Sequence, residues 1–178
     1  MSRTILPIVL LILFPLSLSA QNGFQGWKFG MTKEEVQNVK DCSPYKPVEV
    51  TGGLECANFQ FMGGTIPISF IFKPNLAKIQ VWVYEGKDKK EAAKRLVELM
   101  KYLKDKYGDL ESPHIEAPLL MKAADWEGAI DDLVQLPPEN SKWQFKPVSN
   151  PKEAFVFCSF ISHPQQGFYL FLYFQPPK

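Results

Sequence analysis

The stretch from Leu76 to Gly108 constrains the fold of this 178-residue chain more than any other. From Lys78 to Tyr84, the residues Ile79, Val81 and Val83 alternate with Lys78, Gln80, Trp82 and Tyr84, which is the two-residue period of a half-buried strand. After Gly86, Asp88 suits an N-cap, and Glu91 is placed to reach back to the cap's own N–H as the second half of a capping box. Ala92, Leu96, Leu99, Met100, Leu103 and Tyr107 then recur in steps of three and four and form one apolar stripe, with Lys90, Lys94, Lys101, Lys104 and Asp105 mostly off it. Gly108 can take the left-handed conformation that ends a helix, and Lys104 and Lys106 stand in its last turn, where positive charge suits the exposed carbonyls. A helix with one apolar stripe, fed directly by a strand, needs a sheet to cover.

The chain opens Met1, Ser2, Arg3, runs apolar from Ile5 to Leu16 and reaches Ser17, Ser19 and Ala20. A short basic region, an apolar core and small residues predict a secretory signal peptide at residues 1–20. A retained anchor is disfavoured, because the run falls short of the ~20 apolar residues of a spanning helix and contains Pro7 and Pro15. Residues 21–178 are then expected to form a single soluble domain, periplasmic or secreted, with no membrane span. Of the 20 basic residues only Arg3 lies in the leader, so 19 remain against 19 acids. A balanced charge gives no field to gather nucleic acid or an anionic membrane surface.

Three cysteines in an exported chain invite one disulfide and one free thiol. Cys42 and Cys56 sit beside loops, whereas Cys158 lies inside the apolar run Phe155 to Ile161, so a Cys42–Cys56 bond is expected. It would close a loop of about 15 residues, for which chain entropy gives roughly 3 kcal/mol. Cys158 reads as a small buried hydrophobe.

Thr32 and Glu35 form a second capping box, with Met31 and Val36 as its hydrophobic staple, and predict a short helix from about Lys33 to Lys40. The string Trp27-Lys28-Phe29-Gly30-Met31-Thr32-Lys33-Glu34-Glu35-Val36 resembles the start of small exported bacterial α+β proteins, those of the SmpA/OmlA outer-membrane assembly lipoproteins and the β-lactamase-inhibitor-like domains. The resemblance implies a helix followed by a curved antiparallel sheet and assigns no functional residue. Gln21 stands where a lipoprotein cysteine would be acylated.

Leu54–Met62 and Thr65–Phe72 read as strands around a Gly63-Gly64 hairpin turn, with Pro67 marking an edge or a bulge. Lys73-Pro74-Asn75 is the next turn. The region 109–141, fenced by Pro113, Pro118, Pro137 and Pro138, reads as an irregular excursion in which Trp126, Ile130, Leu133 and Val134 have the spacing of one short helix. Lys142–Lys146, Ala154–Ile161 and Phe168–Phe174 are strands, the last apolar or amphipathic on both faces, as expected for a central strand or for one whose second face meets a ligand or partner. The fold class expected is α+β: an antiparallel sheet of about six strands with one long and one short helix packed on one face.

Residue types that carry chemistry are sparse. His114 and His163 both adjoin proline and have no ligand at metal spacing, so neither a metal nor another cofactor is expected. A Cys158–His163 dyad would need an exposed thiol, and Asp131 with Asp132, or Glu127 with Asp131, reads as solvated surface. No catalytic residue is assigned and no enzyme activity is expected. One constellation remains: Trp82 and Tyr84 on the face away from the helix, joined by Tyr169, Phe171 and Tyr173. Such a face either suits recognition, since these rings bury much area and keep a polar end satisfied, or is covered by the 109–141 excursion or the tail. The expected function is an exported binding protein that holds a protein partner. A carrier of an apolar small molecule between helix and sheet is the alternative, and an unrecognised hydrolase is the third reading.

Overall fold

The computed structural model describes residues 23–39, 47–112, 125–137 and 141–177. The expected leader at 1–20, His114 and Cys42 lie outside the described residues. No helix among the described residues is long and apolar enough to cross a membrane.

A small hairpin comes first, β1 (Gly23–Phe24) and β2 (Trp27–Lys28), followed by α1 (Lys33–Gln37). Both halves of the capping box form: the Glu35 amide donates to Thr32 Oγ1 at 3.2 Å, and the Thr32 amide donates to Glu35 Oε2 at 2.8 Å. The helix stops at Gln37, earlier than expected, with Asn38 as its C-cap. Trp27 is fully buried against Phe59 and Phe70, and its indole N–H donates to the Val36 carbonyl, fastening this segment to the core.

Two antiparallel meanders follow. The first is β3 (Val48–Val50), β4 (Gly53–Phe61), β5 (Gly64–Phe72) and β6 (Leu76–Gly86). The second is β7 (Leu110–Glu111), β8 (Lys142–Pro147), β9 (Phe155–His163) and β10 (Gly167–Gln175). Between them lie α2 (Lys89–Tyr107) and, after β7, α3 (Trp126–Val134). The meanders join where β10 pairs with β6, giving one eight-stranded sheet in the order β3-β4-β5-β6-β10-β9-β8-β7.

This overturns the α+β expectation of six strands and two helices: the molecule is mostly β, with an eight-stranded antiparallel sheet, a separate two-stranded hairpin and three helices among the described residues. The two extra strands are the edges. β3 has all three residues exposed and β7 is two residues long, so neither shows the alternation by which a strand is read. The β4–β5 turn is also displaced by one residue: Met62 (φ 49) and Gly63 (φ 76) are its left-handed pair, and Gly64 already faces Phe61 in the ladder.

Helix α2 leaves the central strand β6 and delivers the chain to the far edge strand β7, four interstrand spacings away, or about 19 Å. Nineteen residues of helix are about 28 Å long, enough to cross the sheet face on the diagonal. Its stripe of Ala92, Leu96, Leu99, Met100 and Leu103 is buried against that face, and Ile130 and Leu133 of α3 extend the same layer. Asp88 caps α2 by accepting from the Glu91 amide, but the Glu91 carboxylate turns to Arg95 instead of closing a box.

Candidate functional site

The side chains of β6 and β10 divide by period two. Ile79, Val81, Phe168, Leu170, Leu172 and Phe174 enter the core under α2, while Lys78, Gln80, Trp82, Tyr169, Phe171 and Tyr173 take the opposite face. Trp82 and Phe171 are directly paired, with rings edge to face at 4.9 Å and 87°. Phe171 stacks on Tyr169 at 6.0 Å and meets Tyr173 at 5.8 Å.

The row runs further than the sequence reading placed it. Tyr173 stacks on Phe157 of β9 at 4.7 Å, and Phe157 contacts Phe155 at 5.6 Å. Both phenylalanines were visible in the alternation of Phe155 and Phe157 against Val156 and Cys158, which the apolar density of that run obscured.

Two polar ends on this face have partners within the chain. The Trp82 indole donates to Ser69 Oγ at 2.9 Å, and the Tyr169 hydroxyl donates to Gln166 Oε1 at 2.9 Å. Lys78 lays its ammonium 4.0 Å from the Tyr173 ring centre. Burial holds the Lys78 ammonium below its ordinary pKa, aided by repulsion from Lys142 and Lys73. Burial also pushes the Tyr173 phenol up to about 12. The rings are half-buried, Phe171 more so at 8% exposure, and lie against one another and their sheet neighbours.

Tyr84 does not join them. The β6–β10 register pairs Leu170 with Tyr84 and Phe171 with Trp82, so Val83 is an extra residue and the alternation changes phase there. Tyr84 therefore packs against the core, and its hydroxyl donates to the Asp88 carbonyl at 2.8 Å.

The other candidates have structural partners. Cys158 is free and fully buried on the core face, and burial raises its thiol to about 12, far from a thiolate at neutral pH. His163 Nδ1 accepts from the amides of Gln165 and Gln166 and closes the β9–β10 turn. Asp131 accepts from Lys89 at 2.6 Å, tying α3 to the start of α2. No group of three or more His, Cys, Asp or Glu that could hold a metal ion occurs among the described residues.

A family model described as "Uncharacterised protein" matches residues 24–126. No curated protein and no solved structure matches the chain.

Proposed function

We propose that this chain, which belongs to that family of uncharacterised proteins, is an exported, non-enzymatic binding protein that recognises a protein partner through the aromatic face of its sheet. The observation that carries the reading is the row of rings from Trp82 through Phe171 and Tyr173 to Phe157 and Phe155, unbroken across three strands. Aromatic side chains on such a face give a partner a large contact area. The Trp82 indole N–H and the Tyr169 hydroxyl already have partners, in Ser69 and in Gln166 of the β9–β10 turn, so an incoming surface meets those two rings without stranding their donors, and only the Tyr173 hydroxyl needs an acceptor from it. Mutual stacking also fixes the rotamers in advance, which lowers the ordering cost of association.

Export rests on the leader pattern of residues 1–20, and the likeness of Trp27–Val36 to exported bacterial proteins agrees with it. A Cys42–Cys56 bond belongs to the same proposal, supported by the bonded state of Cys56 and the free state of Cys158. The carrier reading requires room between helix and sheet, and Leu96, Leu99 and Leu103 are fully buried there.

Native mass spectrometry of the mature protein, isolated from the exported fraction of its own host, tests the proposal. A co-purifying protein that is lost from the Tyr169→Ala variant supports it. A bare monomer, or a small extra mass released on denaturation, counts against it.

A further inference from the structure

The central sheet forks between β5 and β6. Their ladder runs from Phe72 opposite Leu76 to Ile68 opposite Val81 and ends there, although β6 continues to Gly86 and β5 begins at Gly64. Beyond the fork each strand is held from its outer side: residues 64–66 of β5 pair with β4, and Trp82 and residues 84–86 of β6 pair with β10. Pro67 stands at the junction and has no N–H to continue the ladder. The bulge at Val83 turns the opposite wall.

A cleft of about 460 Å³ occupies the gap. Met62, Ile66 and Pro67 form one wall, Trp82 and Tyr84 the other, and Glu85, Glu91 and Arg95 supply its charge. Arg95 is already engaged, donating to Glu91 at 2.9 Å and to Glu98 at 3.1 Å, while Glu85 is exposed and has no ion pair among the described residues. Glu91 is answered by Arg95 and Lys94, so the cleft is apolar along its walls and acidic at its Glu85 end.

We propose that this cleft takes an extended peptide segment of a partner protein, apolar at alternate positions and carrying a lysine or arginine that reaches Glu85. The inner edge of β6 from Trp82 to Gly86 supplies a backbone template, and an added strand satisfies it where an apolar small molecule leaves its polar groups unanswered. Five residues of strand span about 17 Å, so the segment is about five residues long. The volume lies in the range of specific ligand sites. Complementary charge fixes direction, since the basic residue must lie at the Glu85 end. The inference stands apart from the aromatic face, with which it shares only Trp82.

The test uses the mature chain and a displayed library of random heptapeptides. Enriched sequences are expected to alternate apolar residues and to carry a basic one. The best of them, resynthesised with N-methyl groups at alternate backbone nitrogens, should bind at least tenfold more weakly. Glu85→Lys should also weaken it at least tenfold, and Pro67→Val, which restores the donor that lets the ladder close, should abolish binding, each in a protein that melts as the parent does. In hydrogen exchange, the amides of residues 82–86 that point away from β10 should exchange freely in the unbound chain and become protected by the peptide. The proposal is overturned if no sequence is enriched, if N-methylation or Glu85→Lys leaves affinity unchanged, or if those amides are protected without peptide. Displacement of the peptide by 1-dodecanol at equal occupancy would likewise assign the cleft to an apolar small molecule.

Discussion

Trp82 and Phe171 face each other across the β6–β10 ladder, edge to face at 4.9 Å, at the seam where the two meanders of the sheet join. The pair lies on the side away from α2, and the bulge at Val83 removes the neighbouring Tyr84 from it. A double-mutant cycle of Trp82→Ala and Phe171→Ala, read by urea denaturation, should give a coupling of about 0.5–1.5 kcal/mol beyond the area each ring buries. Strictly additive effects would show that the rings do not interact in solution.

Glycine is required at one turn and merely convenient at another. Gly167 has φ +101, and a Cβ there would run into the carbonyl oxygen of Gly86, part of the backbone it pairs beside. Gly63 has φ +76 but opens onto empty space. Gly63→Ala should therefore cost about 1 kcal/mol, whereas Gly167→Ala should cost at least about 2 kcal/mol, because backbone strain adds to a clash that cannot relax. Thermal melts of the two variants decide it, and equal losses would contradict the close approach of Gly167 to Gly86 in the β6–β10 register.

Alkaline pH should weaken the fold. Burial pushes both the Cys158 thiol and the Tyr173 phenol up to about 12. In the unfolded chain these groups lose their protons near about 8.5 and 10. Between those values and about 12 the folded state binds more protons than the unfolded one, so stability falls as pH rises, and below about pH 8 neither group contributes a slope. Lys78, held low by burial, contributes the opposite slope just below the ordinary lysine range. Urea midpoints from pH 8 to 11 should fall, and Tyr173→Phe should flatten the decline above pH 10. Native Cys158 should resist a disulfide reagent at pH 8 and react once the chain is unfolded.

The faces of the central strands were legible because each carries an uninterrupted two-residue period: Ile79 and Val81 against Trp82, Leu170 and Leu172 against Phe171. Phe168–Phe174 read as a central strand from its two apolar faces, and β10 does lie in the middle of the sheet. Tyr84 was misplaced because the bulge at Val83 has no glycine or proline to announce it. The number of strands escaped for a different reason. Edge strands such as Val48–Val50 and Leu110–Glu111 are defined by pairing with distant residues, not by any local pattern. The fork at Pro67 was half legible: proline warned of a broken ladder, but the strand on its other side was known only once the register was. Trp27 gave no local sign that it would anchor α1, because its partners Val36, Phe59 and Phe70 are scattered along the chain.

The most direct test of the aromatic face as a recognition surface is to measure partner binding and melting temperature together on Tyr169→Ala. Tyr169 lies at one end of the row, half-buried, with its hydroxyl bonded only to Gln166 among the described residues. The account predicts that the melting temperature stays within a few degrees of the parent while the partner captured from the host's exported fraction is lost. A protein that keeps its partner, or one whose melting temperature collapses, would contradict it, since the first removes the face from binding and the second makes it core.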